Sequence, residues 1–242
     1  MAPMQILKTG ASELGIELNP HQLEQFQIYY KELADSNKKI NLTSIIEPGE
    51  TQIKHFLDSL TVILALKHPA DIEGLSIIDI GSGAGFPGLP LKITFPSIRL
   101  TLLEARFKKT AFLKHIIRTL KLEGVEVAAE RAEETAQQSQ YRQCFDMVVS
   151  RAVALLPVLA ELTLPFCKTG GLVVLQKKGD IRDELLQAGK AIVTLGGSPP
   201  QSIKIEVNEL GDNRCLLVIY KISPTPDKYP RRPGMPAKRP IV

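Results

Sequence analysis

The sequence predicts an α/β fold: a mostly parallel seven-stranded sheet with helices on both faces, a terminal antiparallel hairpin, and a helical cap in front of it. Three observations carry this expectation. From Ser76 onward, short β-rich apolar runs alternate with helical stretches, as strand–helix–strand units require. The first of those runs, 77–80, leads straight into "GSGAGFPG", which is too rich in glycine to continue a strand or a helix. The last two runs, "IKIEV" and "CLLVIY", are joined by "NELGDNR", too short for a crossover helix and therefore antiparallel.

Taken in order, residues 1–70 form the cap. "HQLEQFQIYYKELADSNKK" places Leu23, Phe26, Tyr30 and Leu33 at spacings of three and four, on one face of a helix. A polar loop, "NLTS", separates it from a second helix in "GETQIKHFLDSLTVILAL", where His55 and Asp58 lie one turn apart. Residues 71–222 hold the sheet, with strands expected at 77–80, 99–103, 125–129, 147–150 and 172–176 before the closing hairpin. The helix after the glycine turn is expected to start near 87–89. Residues 223–242 form a basic tail. Six of the chain's 17 prolines lie beyond Tyr220, so this segment is expected to run extended, without regular structure.

A chain of 242 residues, 44% hydrophobic and 23% charged, can bury a full core, which excludes a wholly disordered protein. Cys144, Cys167 and Cys215 are odd in number, widely spaced and without a histidine cluster, so neither a disulfide framework nor a zinc site is indicated, and nothing invokes a metal. The N-terminus lacks a signal-peptide pattern and no apolar run approaches a membrane span, so a cytoplasmic protein with no membrane partner is expected. The net charge of +4 is unevenly placed. Residues 221–242 hold six Lys or Arg against Asp227 alone, and "EARFKKTAFLKHIIRTLK" sets Arg106, Lys108, Lys109, Lys114, Arg118 and Lys121 against Glu104. Two basic patches on a near-neutral body suit a polyanionic partner.

Glycines 81, 83 and 85 permit positive φ and leave no Cβ to hold a ligand off the backbone, so a nucleotide-like ligand is expected over the turn. Two cofactors match the spacing: Gly83, Gly85 and Gly88 give G-x-G-x-x-G, and Asp79, Gly81, Gly83 and Gly85 give D-x-G-x-G-x-G. Glu104, at the end of the second strand, would grip a ribose diol in either case. A carboxylate at Asp79 pointing into the turn would repel a pyrophosphate but suits the cationic S-adenosylmethionine. The terminal hairpin also favours the class I S-adenosylmethionine-dependent methyltransferase fold, a Rossmann-like fold, over a nicotinamide-dependent oxidoreductase. The fourth strand ends in Ser150, Arg151 and Ala152 rather than the Asn/Asp-Pro-Pro-Tyr of exocyclic-amine methylases, and neither Cys144 nor Cys167 is placed as a nucleophile for pyrimidine carbon-5. An acceptor with its own lone pair, such as guanine N7, needs no general base. Arg151 suits a carbonyl edge or a phosphate, the ordering of the cofactor pocket, or a structural ion pair.

"NLTS", "HFLDSL", "IIDIGSGAGFPGLPLKI", "KKTAFL", "ERAEE", "VVSRAVA", "KKG" and "KYPRRPGMPAKRP", in this order and spacing, resemble the bacterial 16S rRNA guanine-N7 methyltransferases, the RsmG or glucose-inhibited division protein B (GidB) family. The resemblance implies S-adenosylmethionine contacts at Gly81, Gly83 and Phe86, an adenosine end lined by Glu104, Ala105 and Arg106, adenine flanked by Ala132 and Glu133, and a site closed by Arg151. Ala105 departs from the serine common in the family. Asn41, Thr43, His55 and Asp58 match the family's signature and suit an acceptor cleft, although for His55 a structural hydrogen bond to Asp58 or the cap loop fits equally well. The implied partner is 16S rRNA, or a small-subunit particle, bound by a monomer through Arg231, Arg232, Lys238, Arg239, Lys108 and Lys109. A non-catalytic RNA-binding module on the same fold stays open as a rival.

Overall fold

The computed structural model describes residues 4–151, 154–211 and 213–241. The cap begins with α1 (Gln5–Glu13) and α2 (Pro20–Ile40). Asn19 caps α2 by accepting from the Gln22 amide, while the Gln22 side chain returns a bond to the Asn19 amide, so both orphan donors of the first turn are satisfied. After the polar loop, a helical run follows: α3 (Pro48–Thr51), a wider π-helical stretch (Gln52–Leu57), α4 (Asp58–Leu60) and a 3-10 turn (Thr61–Ala65). The buried face of α2 is Gln22, Phe26, Tyr29 and Leu33. Tyr29 therefore takes the place expected of Tyr30, which is only half-buried, and the next section gives it a task.

The sheet has the order β3-β2-β1-β4-β5-β7-β6. Its strands are β1 (Ser76–Ile80), β2 (Arg99–Leu103), β3 (Val125–Ala128), β4 (Phe145–Arg151), β5 (Cys167–Lys178), β6 (Gln201–Lys204) and β7 (Arg214–Tyr220). The first five pair in parallel, and β7 runs antiparallel between β5 and β6. The expected hairpin is thus present, but its first strand is shifted: it starts at Gln201 and ends at Lys204, two residues into "IKIEV". Ile205, which still donates to the Arg214 carbonyl, Val207 and Leu210 are buried in the core shared with the cap.

Strand alternation decides which face each residue serves. Ile77, Met147, Val149, Val174, Leu216 and Val218 join cap residues such as Leu7, Phe26 and Phe56 in one core, to which α5 (Gly88–Thr94) and α6 (Phe107–Thr119) contribute Leu91 and Leu113. Ile78, Val148, Val173, Leu175 and Leu217 face a second core with α8 (Leu156–Thr163) and α9 (Arg182–Thr194). By the same alternation, Asp79, Arg151, Gln176 and Arg214 fall on the cap-facing side, where the parallel strands end. That edge is where open α/β sheets place ligands.

The tail departs from expectation. It folds back across α7 (Ala132–Thr135) and α8, and contains a short turn of helix, α10 (Met235–Lys238). Three kinds of contact hold it. Arg142 donates to the carbonyls of Thr225, Pro226 and Tyr229, Gln137 donates to that of Pro230, and Arg231 makes a bidentate pair with the fully buried Glu161. Proline forbids a long helix or an inner strand here, but it does not prevent side chains from elsewhere in the fold from fixing an irregular path. No helix among the described residues is long and apolar enough to cross a membrane.

Candidate active site

The glycine turn lies over the end of β1, and its glycines answer to different neighbours. Gly81, Gly83 and Gly85 all have positive φ. At Gly85 (φ 102°) a Cβ would lie 2.4 Å from Leu89 Cδ1 and 2.7 Å from Tyr29 Oη. At Gly88 it would lie 2.7 Å from Leu102 and 3.0 Å from Asp79 Oδ2. Those two are glycines because the protein packs on itself there. At Gly83 the nearest atom to a Cβ is 3.7 Å away, so that position is open toward a cleft and glycine is required by φ 61°.

That cleft, about 400 Å³, is lined by Leu42, Thr43, His55, the backbone of 81–84, Phe86, Glu104, Arg106, Lys109 and Arg151. Glu104 is buried and accepts from the amides of Gly83 (3.1 Å) and Arg106 (2.8 Å), so its carboxylate is already aimed at the turn. Phe86 forms the floor. It stacks on His55 at 4.5 Å and on Tyr29 at 5.4 Å, lies beneath the Arg151 guanidinium at 5.0 Å, and Tyr29 donates to the Ala84 carbonyl at 2.5 Å. Asp79 does not point into the cleft. It is fully buried below the turn, where Oδ2 accepts from Gly88 at the start of α5 and burial pushes its pKa up to about 7.

A second cleft, about 590 Å³, lies beyond Arg151 and His55, which form a wall common to both. Lys54, Asp58, Gln176, Lys177, Lys178, Glu184 and Arg214 supply its polar lining, with Ile45 and Ile205. The wall is internally bonded. Asp58 accepts from Arg151 (2.8 Å) at one oxygen and from Arg214 (2.6 Å) at the other. Arg151 also donates to the Lys54 carbonyl, in the π-helical stretch, and lies 3.2 Å from His55 Nδ1. Guanidinium only donates, so Nδ1 accepts, and a neutral His55 carries its proton on Nε2, 2.8 Å from Thr43 Oγ1. Burial, then the Arg151 charge, pushes the His55 pKa down to about 3.

The structure brings Gly81, Gly83, Phe86, Glu104, Arg106, Arg151, His55 and Asp58 to these two clefts. It does not bring Asn41, which is exposed and terminates α2 in the left-handed conformation (φ 48°), nor Ala105, also exposed. Ala132 and Glu133 begin α7 outside both linings, and Glu133 accepts from the Gly234 amide of the tail. Lys109 lines the first cleft and Lys108 is exposed on the same turn of α6; Arg232, Lys238 and Arg239 are exposed on the tail. Ala152 lies outside the described residues. Sequence reasoning missed Tyr29, Gln176, Arg214 and Glu184. For Gln176 and Arg214 there was a signal, a polar residue at a cap-facing position of an otherwise apolar strand.

Strand order, the antiparallel β7 and a cleft over the glycine turn define a class I, S-adenosylmethionine-dependent methyltransferase. The fold superposes on Aeropyrum pernix fibrillarin in complex with S-adenosyl-L-methionine (TM-score 0.52, 12% identity, 66% of this chain and 73% of that one) and on TrmN from Thermus thermophilus (0.51, 16%, 69% and 48%). Residues 22–210 match the family described as rRNA small subunit methyltransferase G, GidB. A ribosomal RNA small subunit methyltransferase G of Dehalococcoides mccartyi is 53% identical over 99% of this chain and all of that relative, and one of Pelotomaculum thermopropionicum is 44% identical over 98% of each. The chain belongs to this family and is an rRNA small-subunit methyltransferase.

Proposed function

We propose that the protein transfers a methyl group from S-adenosylmethionine to N7 of a guanine in 16S rRNA, with the cofactor over the glycine turn and the base in the second cleft. The residues present suit that cofactor: an open position at Gly83, a carboxylate at Glu104 for a ribose diol, and an apolar floor at Phe86. When bound, it supplies an electrophilic methyl on a sulfonium. The observation that carries the reading is the state of the shared wall. His55 has one ring nitrogen accepting from Arg151 and the other donating to Thr43, and each Asp58 oxygen holds an arginine. Neither is available to remove a proton, and the other carboxylate of the second cleft, Glu184, is paired with Lys177 and the Leu156 amide. An amine or hydroxyl acceptor would need that removal, whereas guanine N7 presents a lone pair and needs only to be held in line.

Arg151, one wall of both clefts, orients the two reactants and places positive charge beside the base. Asp58 holds Arg151, and Arg214 holds Asp58 in turn. The exposed Arg232, Lys238 and Arg239, with Lys108 and Lys109 beside the first cleft, are the phosphate contacts on this reading, while Arg231 anchors the tail on Glu161. Each cleft is lined by residues of a single chain, which suits a monomer; on this reading it acts in the cytoplasm on 16S rRNA or a small-subunit particle. The test is incubation with labelled S-adenosylmethionine and unmodified 16S rRNA or 30S particles, followed by nucleoside identification. Label in 7-methylguanosine, lost in Arg151→Ala, supports the reading; label in another nucleoside overturns the acceptor.

A further inference from the structure

We propose that Phe107 is a stacking platform for an unpaired base of the substrate RNA outside the reacting nucleotide, at the head of a basic track along α6. This deepens the RNA contacts of the reading above and rests on them, though not on N7 as the acceptor. Phe107 is 83% exposed, whereas the other seven of the chain's eight phenylalanines are buried. It packs in neither core, and among the described residues its ring has no aromatic or cation–π partner. An exposed apolar side chain is ordinary by itself. The residues around this one give it a use.

Helix α6 turns Thr110, Phe112, Leu113 and Ile116 inward. Ala111, Lys114 and Arg118, four, seven and eleven positions after Phe107, are exposed, and at 3.6 residues per turn they follow it along one side of the helix. Lys108 is exposed beside it. The track is about 16 Å long at 1.5 Å per residue. No acidic residue lies in α6, and among the described residues no carboxylate pairs with Lys108, Lys114 or Arg118. Its head is at the first cleft, where Arg106 and Lys109, on either side of Phe107 in sequence, belong to the lining. Unpaired cations headed by a bare aromatic ring fit a single strand of RNA: phosphates meet the cations, and the face of a base covers the ring. A base inside a duplex has no free face, so the nucleotide at Phe107 is unpaired. Stacking reads no sequence, because every base has a π-face, so Phe107 contributes affinity rather than base choice.

The test measures binding of unmodified, naked 16S rRNA to the full-length protein, without methyl transfer. Phe107→Leu, apolar but not aromatic, should bind roughly 5–100-fold more weakly, with the log–log salt slope of the wild type, since stacking releases no counterions. Lys114→Ala should instead lower that slope by about 0.7–0.9. The chain has no tryptophan, so Phe107→Trp carries a single indole; it should keep near wild-type affinity and lose emission when RNA covers the ring. Both substitutions fall on an exposed side chain, and S-adenosylmethionine affinity within about twofold of wild type shows that the fold and the first cleft are kept. Wild-type affinity in Phe107→Leu, undiminished emission of Phe107→Trp in its RNA complex, or no binding of naked rRNA by the wild type overturns the assignment. A loss in Phe107→Leu confined to 30S particles also overturns it, and gives Phe107 to a ribosomal protein instead. Because binding is read alone, failure of the N7 reading, seen as label in another nucleoside, is told apart from failure of this one.

Discussion

The two clefts that share the Arg151 and His55 wall are built in different ways. The first depends mainly on the backbone path of two short stretches, 81–86 and 104–109, at the ends of β1 and β2, closed by the side chains of Leu42, Thr43, His55 and Arg151. The second is a side-chain site, assembled from the π-helical stretch, α4, β5, α9, the segment after β6, and β7. A backbone site fails when the chain path changes, and a side-chain site fails when a single partner is lost. Substitutions should separate them on that basis.

The largest effect is expected where the side-chain site is most tightly coupled. Asp58→Ala leaves the Arg151 and Arg214 guanidinium groups facing each other in a buried setting and should cost about 3–5 kcal/mol in denaturant unfolding. Arg151→Ala should keep the fold better yet, on the proposed function, lower methyl transfer by roughly 100-fold through loss of the wall common to both clefts. A stable Asp58→Ala variant would show that the wall is not a coupled unit. Next comes the backbone site. Gly85→Ala, which drives a Cβ into Tyr29 and Leu89, should cost about 3 kcal/mol, whereas Gly83→Ala should cost about 1–2 kcal/mol from its φ and express itself mainly as weaker S-adenosylmethionine binding by calorimetry. Equal stability losses in the two would erase the distinction drawn between them.

A smaller effect separates the shared wall from the ground beneath the glycine turn by pH. His55 titrates at about 6.5 unfolded and about 3 folded, so between those values the unfolded state binds more protons and its contribution to stability rises with pH. Asp79 titrates at about 3.8 unfolded and about 7 folded, so between those values the folded state binds more protons and its contribution falls with pH. From about pH 4 to 6.5 the two slopes oppose each other, each limited to about 1.4 kcal/mol per pH unit. Unfolding of Asp79→Asn across this range should become more stable with rising pH relative to wild type; an unchanged profile would contradict the buried, uncharged state of Asp79. The smallest effect lies outside both clefts. Replacing Arg232, Lys238 and Arg239 with Ala, leaving Arg231 on Glu161, should weaken RNA binding and reduce its log–log salt slope by about 2, with cofactor affinity unchanged.

The legible part of the site was the part made of contiguous chain. The glycine turn, the acid after the second strand and the basic, aromatic-containing start of α6 announce themselves through residue types that only a close backbone approach or a charged ligand explains. Asp79 shows the limit of that reasoning: its identity was informative, but its direction was not, since the nearest orphan donor, the Gly88 amide, turned it beneath the turn. The tail shows another limit. Its prolines predict an extended path without regular structure, yet Arg142 and Glu161, remote in sequence, hold it in place.

By itself, the sequence determined the alternation of strands and helices, the antiparallel closing pair and the tight glycine turn after β1. Each of these follows from local constraints: side-chain period, permitted φ and connection length. Only the tertiary structure decided that Arg151, Asp58, Arg214, His55 and Gln176 meet. Their meeting depends on strand order, on the register that sets Arg151 beside Gln176, and on a cap helix widened to a π turn above them. Those are non-local quantities, settled by burying two cores at once, and no short window of sequence contains them.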